Sequence, residues 1–150
     1  MDDGVVCIQF GQSVSLEEAT RFVTDDACGA ISIFVGVTRR DDVDMGIVQG
    51  LEFEAHVPLA STVMRDIIDE YFREEPRLKK VYMSHRLGYV AVGDTNVILA
   101  VSSAHRDVSM GAVEDIMNAL KSKLPVWKKE VFQSGRYVWK ANKECSLASN

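Results

Sequence analysis

The sequence predicts an α+β fold with a mixed or mostly antiparallel sheet, in a single domain over residues 1–150. Strand patterns cluster between helix patterns, in the order β-α-β-β-α-β-β-α-β-β, whereas a doubly wound fold would alternate them strictly. A chain of 150 residues is long enough for one hydrophobic core and too short for two ordinary domains. No repeat, linker or low-complexity tract divides the chain, and only its polar tail, at about 141–150, could be flexible.

The first three elements follow from local patterns. Residues 5–10, VVCIQF, are apolar and β-branched and predict a strand. The capping-box pattern SLEE at 15–18 predicts a helix that runs to about residue 25. In residues 29–38, GAISIFVGVT, apolar side chains alternate, which predicts a second strand with one face in the core.

A polar region follows the second strand. Residues 39–50 contain two glycines and predict a mobile loop, and a third strand is predicted at about 48–55. Pro58 then opens a helix in which apolar residues recur at helical spacing, and the helix ends before Pro76.

The second half of the chain predicts mainly strands, with one helix between them. The segments KKVYMSHRLG and VAVGDTNVILAVSSA contain two or three adjacent strands. An amphipathic pattern predicts a helix over about 108–123, which Pro125 stops. Residues 126–132, VWKKEVF, predict a strand, and a turn at 133–136 leads into a last strand at 137–140.

The composition is that of a soluble globular protein, with 47% apolar and 26% charged residues. No apolar run approaches the roughly 18–20 residues that cross a bilayer, and the acidic N-terminus is unlike a secretory signal. Cys7, Cys28 and Cys145 are widely spaced and lack a CxxC pair, so neither a disulfide framework nor a zinc site is expected. These features favour a reducing compartment, by default the cytosol, and a protein that does not bind membranes.

Charge is divided unevenly between the two halves of the chain. Residues 1–75 hold 5 basic and 16 acidic side chains, a net of −11, and residues 76–150 hold 12 basic and 6 acidic ones, a net of +6. Either the second half builds a site that prefers anions, or the charges mix on one folded surface. Nucleic-acid binding is disfavoured, because the pI is about 5.2 and the aromatic residues do not follow an RNA-stacking pattern.

The stretch LKSKLPVWKKE, at 120–130, gathers four lysines around a proline. On a helical wheel Lys121 lies at the edge of the apolar stripe, and on a strand Lys128 shares a face with Val126 and Glu130. Helix end, proline and strand can therefore bring Lys121 and Lys128 to one site, where two close cations would depress each other's pKa. The alternative is a helix end whose lysines complement the helix dipole.

Two further groups of cations follow strands. VSSAHR, at 101–106, ends a buried strand and presents His105 and Arg106 where a helix begins. Backbone N–H groups at such a junction commonly bind anions, and a guanidinium adds a bidentate donor for phosphate or carboxylate. The alternative is a capping arrangement with Arg106 in a surface ion pair. Arg39 and Arg40 start the predicted mobile loop, where a solvated loop start is the alternative.

Motifs of several enzyme classes are absent from the sequence. It contains no HExxH, EF-hand, GxSxG, dinucleotide-binding or phosphate-loop pattern. We therefore expect no metal and no resident cofactor. The dipeptide His85–Arg86 lies within a predicted strand and is interpreted as structural. If the chain is an enzyme, its chemistry uses Lys, Arg and His, and a reactive sulfur or carbonyl arrives with a substrate.

Five segments, in order and over about residues 5–145, resemble the large, catalytic subunit of molybdopterin synthase. They are GAISIFVGVTR (29–39), LEFEAHVPLA (51–60), HRLG (85–88), VSSAHR (101–106) and LKSKLPVWKKE (120–130). The ending WKANKECSLASN (139–150) is similar to the eukaryotic branch of this family. His56, where the family often has an aromatic residue, and the individual loop at 40–50 depart from the family pattern.

The resemblance implies an α/β-hammerhead fold and a homodimer that binds a small ubiquitin-like sulfur-carrier subunit at each end, giving a heterotetramer. The C-terminal Gly-Gly tail of that subunit, carried as a thiocarboxylate, would enter a pocket of the large subunit. Sulfur would pass from the tail to cyclic pyranopterin monophosphate, twice, to form the dithiolene of molybdopterin in molybdenum cofactor biosynthesis. A non-catalytic scaffold that binds the tail of a ubiquitin-like partner is the alternative.

The resemblance also implies which residues form the pocket. Lys121 would be the general acid/base or transient acyl acceptor, and Lys128 its electrostatic partner. Arg39, His105 and Arg106 would hold the phosphate and the pterin. The other expected substrate-binding residues are Val37, Thr38, Lys129 and Glu130.

Overall fold

Two β-sheets and three helices form residues 1–141, the part of the chain that the computed structural model describes. The helices are α1 (Leu16–Val23), α2 (Val57–Glu74) and α3 (Arg106–Lys123). The strands are β1 (Val6–Gly11), β2 (Ala30–Val37), β3 (Asp42–Val43), β4 (Gly46–Ala55), β5 (Leu78–Arg86), β6 (Gly88–Ala91), β7 (Thr95–Ser103), β8 (Val126–Phe132) and β9 (Tyr137–Ala141).

The first sheet has the strand order β1-β5-β7-β2. β1 runs parallel to β5, and the β5–β7 and β7–β2 pairs are antiparallel. Because side chains alternate across a strand, Met83 and Leu99 pack with α2 and α3 in the main core, while Tyr82 and Ile98 pack with α1 on the other side. The sheet is therefore a layer between two helical layers.

α1 begins where the capping pattern predicts, since the Ser15 hydroxyl accepts a hydrogen bond from the Glu18 backbone N–H at 3.1 Å. The Glu18 carboxylate turns toward β1 and accepts a hydrogen bond from the Gln9 side chain at 2.9 Å. The helix ends at Val23, two residues before its predicted end. One glutamate thus ties the start of α1 to the edge strand beside it.

His56 caps the start of α2. Its Nδ1 accepts a hydrogen bond from the Leu59 backbone N–H at 3.3 Å. His56 therefore satisfies one of the helix N–H groups that have no partner within the helix. The helix ends before Pro76, as the sequence predicts.

The second sheet has the order β3-β4-β8-β9, and β6 also pairs with β4. All of these pairs are antiparallel. The predicted loop at 39–50 is only partly correct, because β3 pairs with the start of β4 in a short hairpin. Gly46 has a φ of 119°, a conformation that side chains disfavour and that lets the chain turn back after two residues.

β2 is an edge strand of the first sheet, and its residues are half-buried or exposed. Phe34 packs against the main core, as the predicted alternation requires. On the other side, Ile31 and Val35 are 38% and 39% exposed. On that side α1 packs on β5 and β7. Within residues 1–141, no helix covers Ile31 and Val35 on this side of β2.

The α+β class and the mixed, mostly antiparallel pairing are confirmed, with the strands divided between two sheets. The single-domain boundary stays a prediction, and the tail predicted at about 141–150 lies outside the described residues except for Ala141. None of the helices in residues 1–141 is long and apolar enough to span a membrane.

Candidate functional site

A cavity of about 380 Å³ lies where the two sheets meet the C-terminal end of α3. Strands β2, β5 and β7 of the first sheet and β4 and β8 of the second contribute to its walls. Its apolar lining includes Phe53, Met83, Val97, Met117 and Leu120. Its charged lining consists of Arg39, Asp41, Lys121, Lys128 and Glu130. Apolar walls with a few charged groups are typical of a ligand site.

Lys121 reaches the cavity from the last turn of α3. Leu120 is buried beside it and Met117 lies one turn earlier, so the apolar stripe of the helix ends at this lysine. Lys121 itself is exposed and lines the cavity with both of these residues. Its stem can pack on the apolar wall while the ammonium stays hydrated. This is the position that the helical wheel predicts.

Lys128 reaches the same cavity from β8. The strand starts at Val126, directly after Pro125. Because side chains alternate along a strand, Val126, Lys128 and Glu130 share the face that lines the cavity. The structure thus brings Lys121 and Lys128 together from two different elements.

Lys129 lies on the opposite face of β8. Its Nζ forms an ion pair with Glu52 Oε2 at 3.1 Å. The same nitrogen lies 4.4 Å from the centre of the Tyr137 ring and 5.3 Å from that of Trp139. Lys129 is predicted to bind substrate, but in this chain it lies outside the cavity that Lys128 lines.

Arg39 lines the cavity with a largely exposed side chain that is already bound to a carboxylate. Its Nε and Nη2 donate to the two carboxylate oxygens of Asp41, at 2.6 and 3.3 Å. The hydrogen bond from Arg39 lowers the pKa of Asp41, and the charges of Lys128 and Lys140 lower it as well. Asp41 therefore stays ionised, and an anion that binds Arg39 has to share it with Asp41.

Glu130 is a carboxylate in the lining that is only 8% exposed. Its Oε1 lies 2.8 Å from Nζ of Lys140 on β9. The strand register places Lys140 directly opposite Lys128. Because Glu130 pairs with Lys140 and shares a strand face with Lys128, its negative charge offsets part of the repulsion between the two lysines. The sequence singled out Glu130 but not Lys140, because this ion pair depends on how β8 and β9 pair.

Val37 and Thr38 precede Arg39 and have different surroundings. Val37 is half exposed and lines the cavity. Thr38 is 1% exposed, and its hydroxyl accepts a hydrogen bond from Asn96 Nδ2 at 3.2 Å. Its backbone N–H donates to the Asp94 carbonyl at 3.0 Å. Thr38 therefore holds the chain in place just before Arg39.

His105 and Arg106 lie at the other end of α3 from Lys121. His105 is the N-cap and Arg106 the first helical residue, and both are exposed. Arg106 and Lys121 are about 15 residues apart, which corresponds to about 22 Å along a helix that rises about 1.5 Å per residue. One chain therefore does not place His105 or Arg106 in the cavity that holds its own Lys121.

His85 lines the cavity, although its position within a strand predicts a structural role. It is the next-to-last residue of β5. A titratable side chain at the end of a buried strand, where the chain leaves the sheet, is the signal that could have identified it. Within the described part of the chain, no group of three His, Cys, Asp or Glu residues is placed to bind a metal.

Comparisons with known proteins identify a family and a set of solved structures with the same fold. The family model described as MoaE protein matches residues 11–123. A Homo sapiens protein named molybdopterin synthase catalytic subunit is 41% identical over 139 residues, which are 93% of this chain and 72% of the human protein.

Solved structures with the same fold include molybdopterin synthase from Staphylococcus aureus, with a TM-score of 0.81 and 27% identity. That alignment covers 94% of this chain and 99% of the other. A chain in the complex of subunits 1 and 2 of molybdopterin-converting factor from Helicobacter pylori has a TM-score of 0.71 and 20% identity. That alignment covers 92% of this chain and 91% of the Helicobacter pylori chain. At that identity the likeness shows the fold alone.

Proposed function

The chain belongs to the MoaE protein family, and we propose that it is the catalytic subunit of a molybdopterin synthase. The family inferred from the five sequence segments is thereby confirmed. The proposed reaction transfers sulfur from the C-terminal thiocarboxylate of a small ubiquitin-like subunit to cyclic pyranopterin monophosphate. It forms the dithiolene of molybdopterin and belongs to molybdenum cofactor biosynthesis in the cytosol.

The convergence of Lys121 and Lys128 on one cavity carries this proposal. The two lysines come from α3 and β8, and Arg39 lines the same cavity just after β2. Both reactants are anionic, since the pterin carries a phosphate and the tail ends in a thiocarboxylate. Cations placed between them reduce their repulsion, and an apolar wall that excludes water strengthens this effect.

The two lysines have different roles in the proposed reaction. Lys121 acts at the thiocarboxylate carbon, as general acid/base or as transient acyl acceptor. Its amine is available for this role, because the structure gives it no ion-pair partner in residues 1–141. Lys128 stabilises the negative charge that develops as the carbon–sulfur bond breaks.

A small partner subunit supplies the sulfur. The Helicobacter pylori structure contains subunits 1 and 2 of a molybdopterin-converting factor in one complex, and we propose an equivalent pairing for this chain. A Gly-Gly tail has no side chains, so it can enter a cavity of about 380 Å³ in an extended form. The carboxyl end of the tail would then lie near Lys121 and Lys128.

The uncovered edge of β2 supports a homodimer. Among residues 1–141, β2 has a neighbour, β7, on one side only, and Ile31 and Val35 are exposed along the strand. An unpaired edge strand with apolar side chains pairs readily with another strand. Two copies of β2 can pair in antiparallel fashion about a two-fold axis, because such an interface is self-complementary.

This pairing would give His105 and Arg106 a place in the site. Ala30, at the start of β2, pairs with Ser103, close to the start of α3. Val37, at the end of β2, lines the cavity. Antiparallel pairing of two β2 strands would therefore bring His105 and Arg106 of the partner subunit beside this cavity, where they can bind the phosphate. The complete site would be shared between protomers.

A single-turnover assay with the thiocarboxylated small subunit and cyclic pyranopterin monophosphate tests the proposed function. We expect the pterin to be converted to a dithiolene product, with one thiocarboxylate consumed for each sulfur transferred. The competing function, a non-catalytic scaffold, predicts a stable complex with the small subunit and no conversion. That second result would refute the proposed reaction.

A further inference from the structure

His85 is a buried imidazole that the proposed reaction leaves without a role. It is 8% exposed and lines the cavity that contains Lys121 and Lys128. The ring of Phe10 stacks on it, with centroids 6.2 Å apart and planes at 22°. Phe53 meets it edge-on, at 5.0 Å and 74°. Aromatic contacts on two sides hold the imidazole plane, so its two nitrogens have defined directions.

The proton of His85 also has a defined position. Nδ1 lies 2.8 Å from the backbone carbonyl oxygen of Arg86, and a carbonyl can only accept, so Nδ1 carries the hydrogen. Burial, with a smaller contribution from the charge of Lys121, lowers the pKa of His85 to about 4. The imidazole is therefore neutral near pH 7, and Nε2 presents a lone pair without a proton.

The Nε2 lone pair is an acceptor without a donor. In residues 1–141, the structure gives Nε2 no hydrogen-bond partner. The two carboxylates of the cavity lining, Asp41 and Glu130, form ion pairs with Arg39 and Lys140, and a carboxylate in an ion pair has no hydrogen to donate to Nε2. Nε2 is accessible from the cavity, so a donor from water or from a ligand can satisfy it. A ligand with an N–H group can supply the donor that the chain does not.

We propose that Nε2 of His85 accepts a hydrogen bond from an N–H group of the ligand bound in this cavity, which makes His85 a specificity-determining residue. The inference rests on the proposed function, which brings two ligands with N–H groups to the cavity, the pterin and the Gly-Gly tail. An analogue of the same shape with a lone pair in place of that N–H is rejected, because two acceptors then face each other.

Two substitutions separate this ligand contact from the structural one. Asparagine can place its amide near the position of Nδ1 and still donate to the Arg86 carbonyl, but it does not reach the position of Nε2. Glutamine reaches that position and keeps an acceptor there. We expect His85→Asn to weaken binding of one ligand about five- to tenfold, the usual effect of one hydrogen bond, and His85→Gln to stay within about twofold of the wild type.

Isothermal titration measures this effect for each ligand by itself. One arm uses cyclic pyranopterin monophosphate, and the other uses a peptide with the C-terminal sequence of the small subunit. The arm in which His85→Asn binds more weakly than His85→Gln identifies the donor. If His85→Asn binds neither ligand more weakly than His85→Gln does, the inference is wrong. Equal losses of affinity in the two variants would count as such a result.

NMR of the wild-type protein supplies a measurement that needs no variant to fold. With ¹⁵N-labelled histidine, the free protein should show His85 protonated at Nδ1 and unprotonated at Nε2. Saturation with the donating ligand should move the Nε2 resonance toward the protonated range and leave Nδ1 in place. An Nε2 resonance that neither ligand moves contradicts the inference.

These outcomes separate the role of His85 from the proposed function. If the wild type completes the single turnover while the Nε2 resonance stays unchanged, only the role of His85 is wrong. If the wild type binds neither ligand and converts no pterin, the proposed function and the role of His85 are both wrong.

Discussion

The two ends of α3 carry similar residues but have different surroundings. At the C-terminal end, Lys121 faces a cavity walled by Met117 and Leu120, whereas at the N-terminal end His105 and Arg106 are exposed. All three side chains are exposed to water, but the apolar wall beside Lys121 lowers the effective dielectric on one side of its charge, so this charge acts on groups in the cavity with less screening. The chemistry of a cation in this protein therefore depends on the wall beside it as well as on its residue type.

The same contrast separates the two faces of β8. Lys128 lines the cavity, and the adjacent Lys129 contacts Glu52 and Tyr137 on the outer face. The two lysines are neighbours in the sequence and belong to different environments. Four predictions test the distinction between cavity and surface, from the largest expected effect to the smallest.

Lys121→Ala should nearly abolish turnover, with a loss of up to about 10⁴-fold in the single-turnover rate, because the group that acts at the thiocarboxylate carbon is missing. The fold should stay intact, since Lys121 is exposed. Circular dichroism and thermal unfolding check the fold. Lys123→Ala, in the same helical turn, is the matched control and should retain nearly full activity. Near-normal product formation by Lys121→Ala would refute the catalytic role.

Lys128→Ala should cost roughly 2–4 kcal/mol of transition-state stabilisation, as the loss of one preorganised charge does. Lys129→Ala is the control on the other face of the strand and should leave the rate within about threefold. It should instead lower the free energy of unfolding by up to about 1 kcal/mol, because it removes a partly exposed ion pair and ring contacts. Equal losses of rate in the two variants would mean that the two faces do not differ in function.

The lowered pKa of His85 should make the stability of the protein depend on pH. Its pKa is about 4 in the folded protein, below its ordinary value of 6.5. The contribution of neutral His85 to the free energy of unfolding is complete above pH 6.5. It is lost as the pH falls toward 4, because in that range His85 takes up a proton only in the unfolded chain. The full loss is about 3 kcal/mol in the free energy of unfolding. Denaturant unfolding at pH 7, 5.5 and 4 should show a flatter profile for His85→Gln, and parallel profiles would contradict this assignment.

Arg106→Ala should weaken turnover about tenfold, through loss of one phosphate contact across the proposed dimer. Mixing this variant with Lys121→Ala provides the sharper test. In an equal mixture, half of the dimers combine the two chains, and each of these has one complete site, so about a quarter of the wild-type activity should return. Activity no higher than the average of the two variants would place the whole site within one chain.

Local patterns in the sequence predicted most of the fold. β8 has the predicted bounds, 126–132, and the helices before Pro76 and Pro125 end where these prolines require. Capping groups and prolines act within one element, so their effect can be read without knowledge of the tertiary structure.

Features that depend on strand pairing were not predictable in this way. The hairpin of β3 and β4 forms inside a polar segment that resembles a loop. Ile31 and Val35 follow the pattern of a core strand and are exposed, because β2 lies at the edge of the sheet. His85 lines the cavity because β4, β7 and α3 pack around the end of β5.

From the residues alone it follows that Lys121 borders the apolar stripe of α3 and that Lys128 and Lys129 point to opposite faces of β8. The helical period of 3.6 and the strand period of 2 suffice for both conclusions. Only the packed structure decided that Lys121 and Lys128 meet in one cavity and that Glu130 pairs with Lys140. Periodicity orients a side chain relative to its own element, whereas the distance between two elements depends on how residues far apart in the sequence pack in a common core.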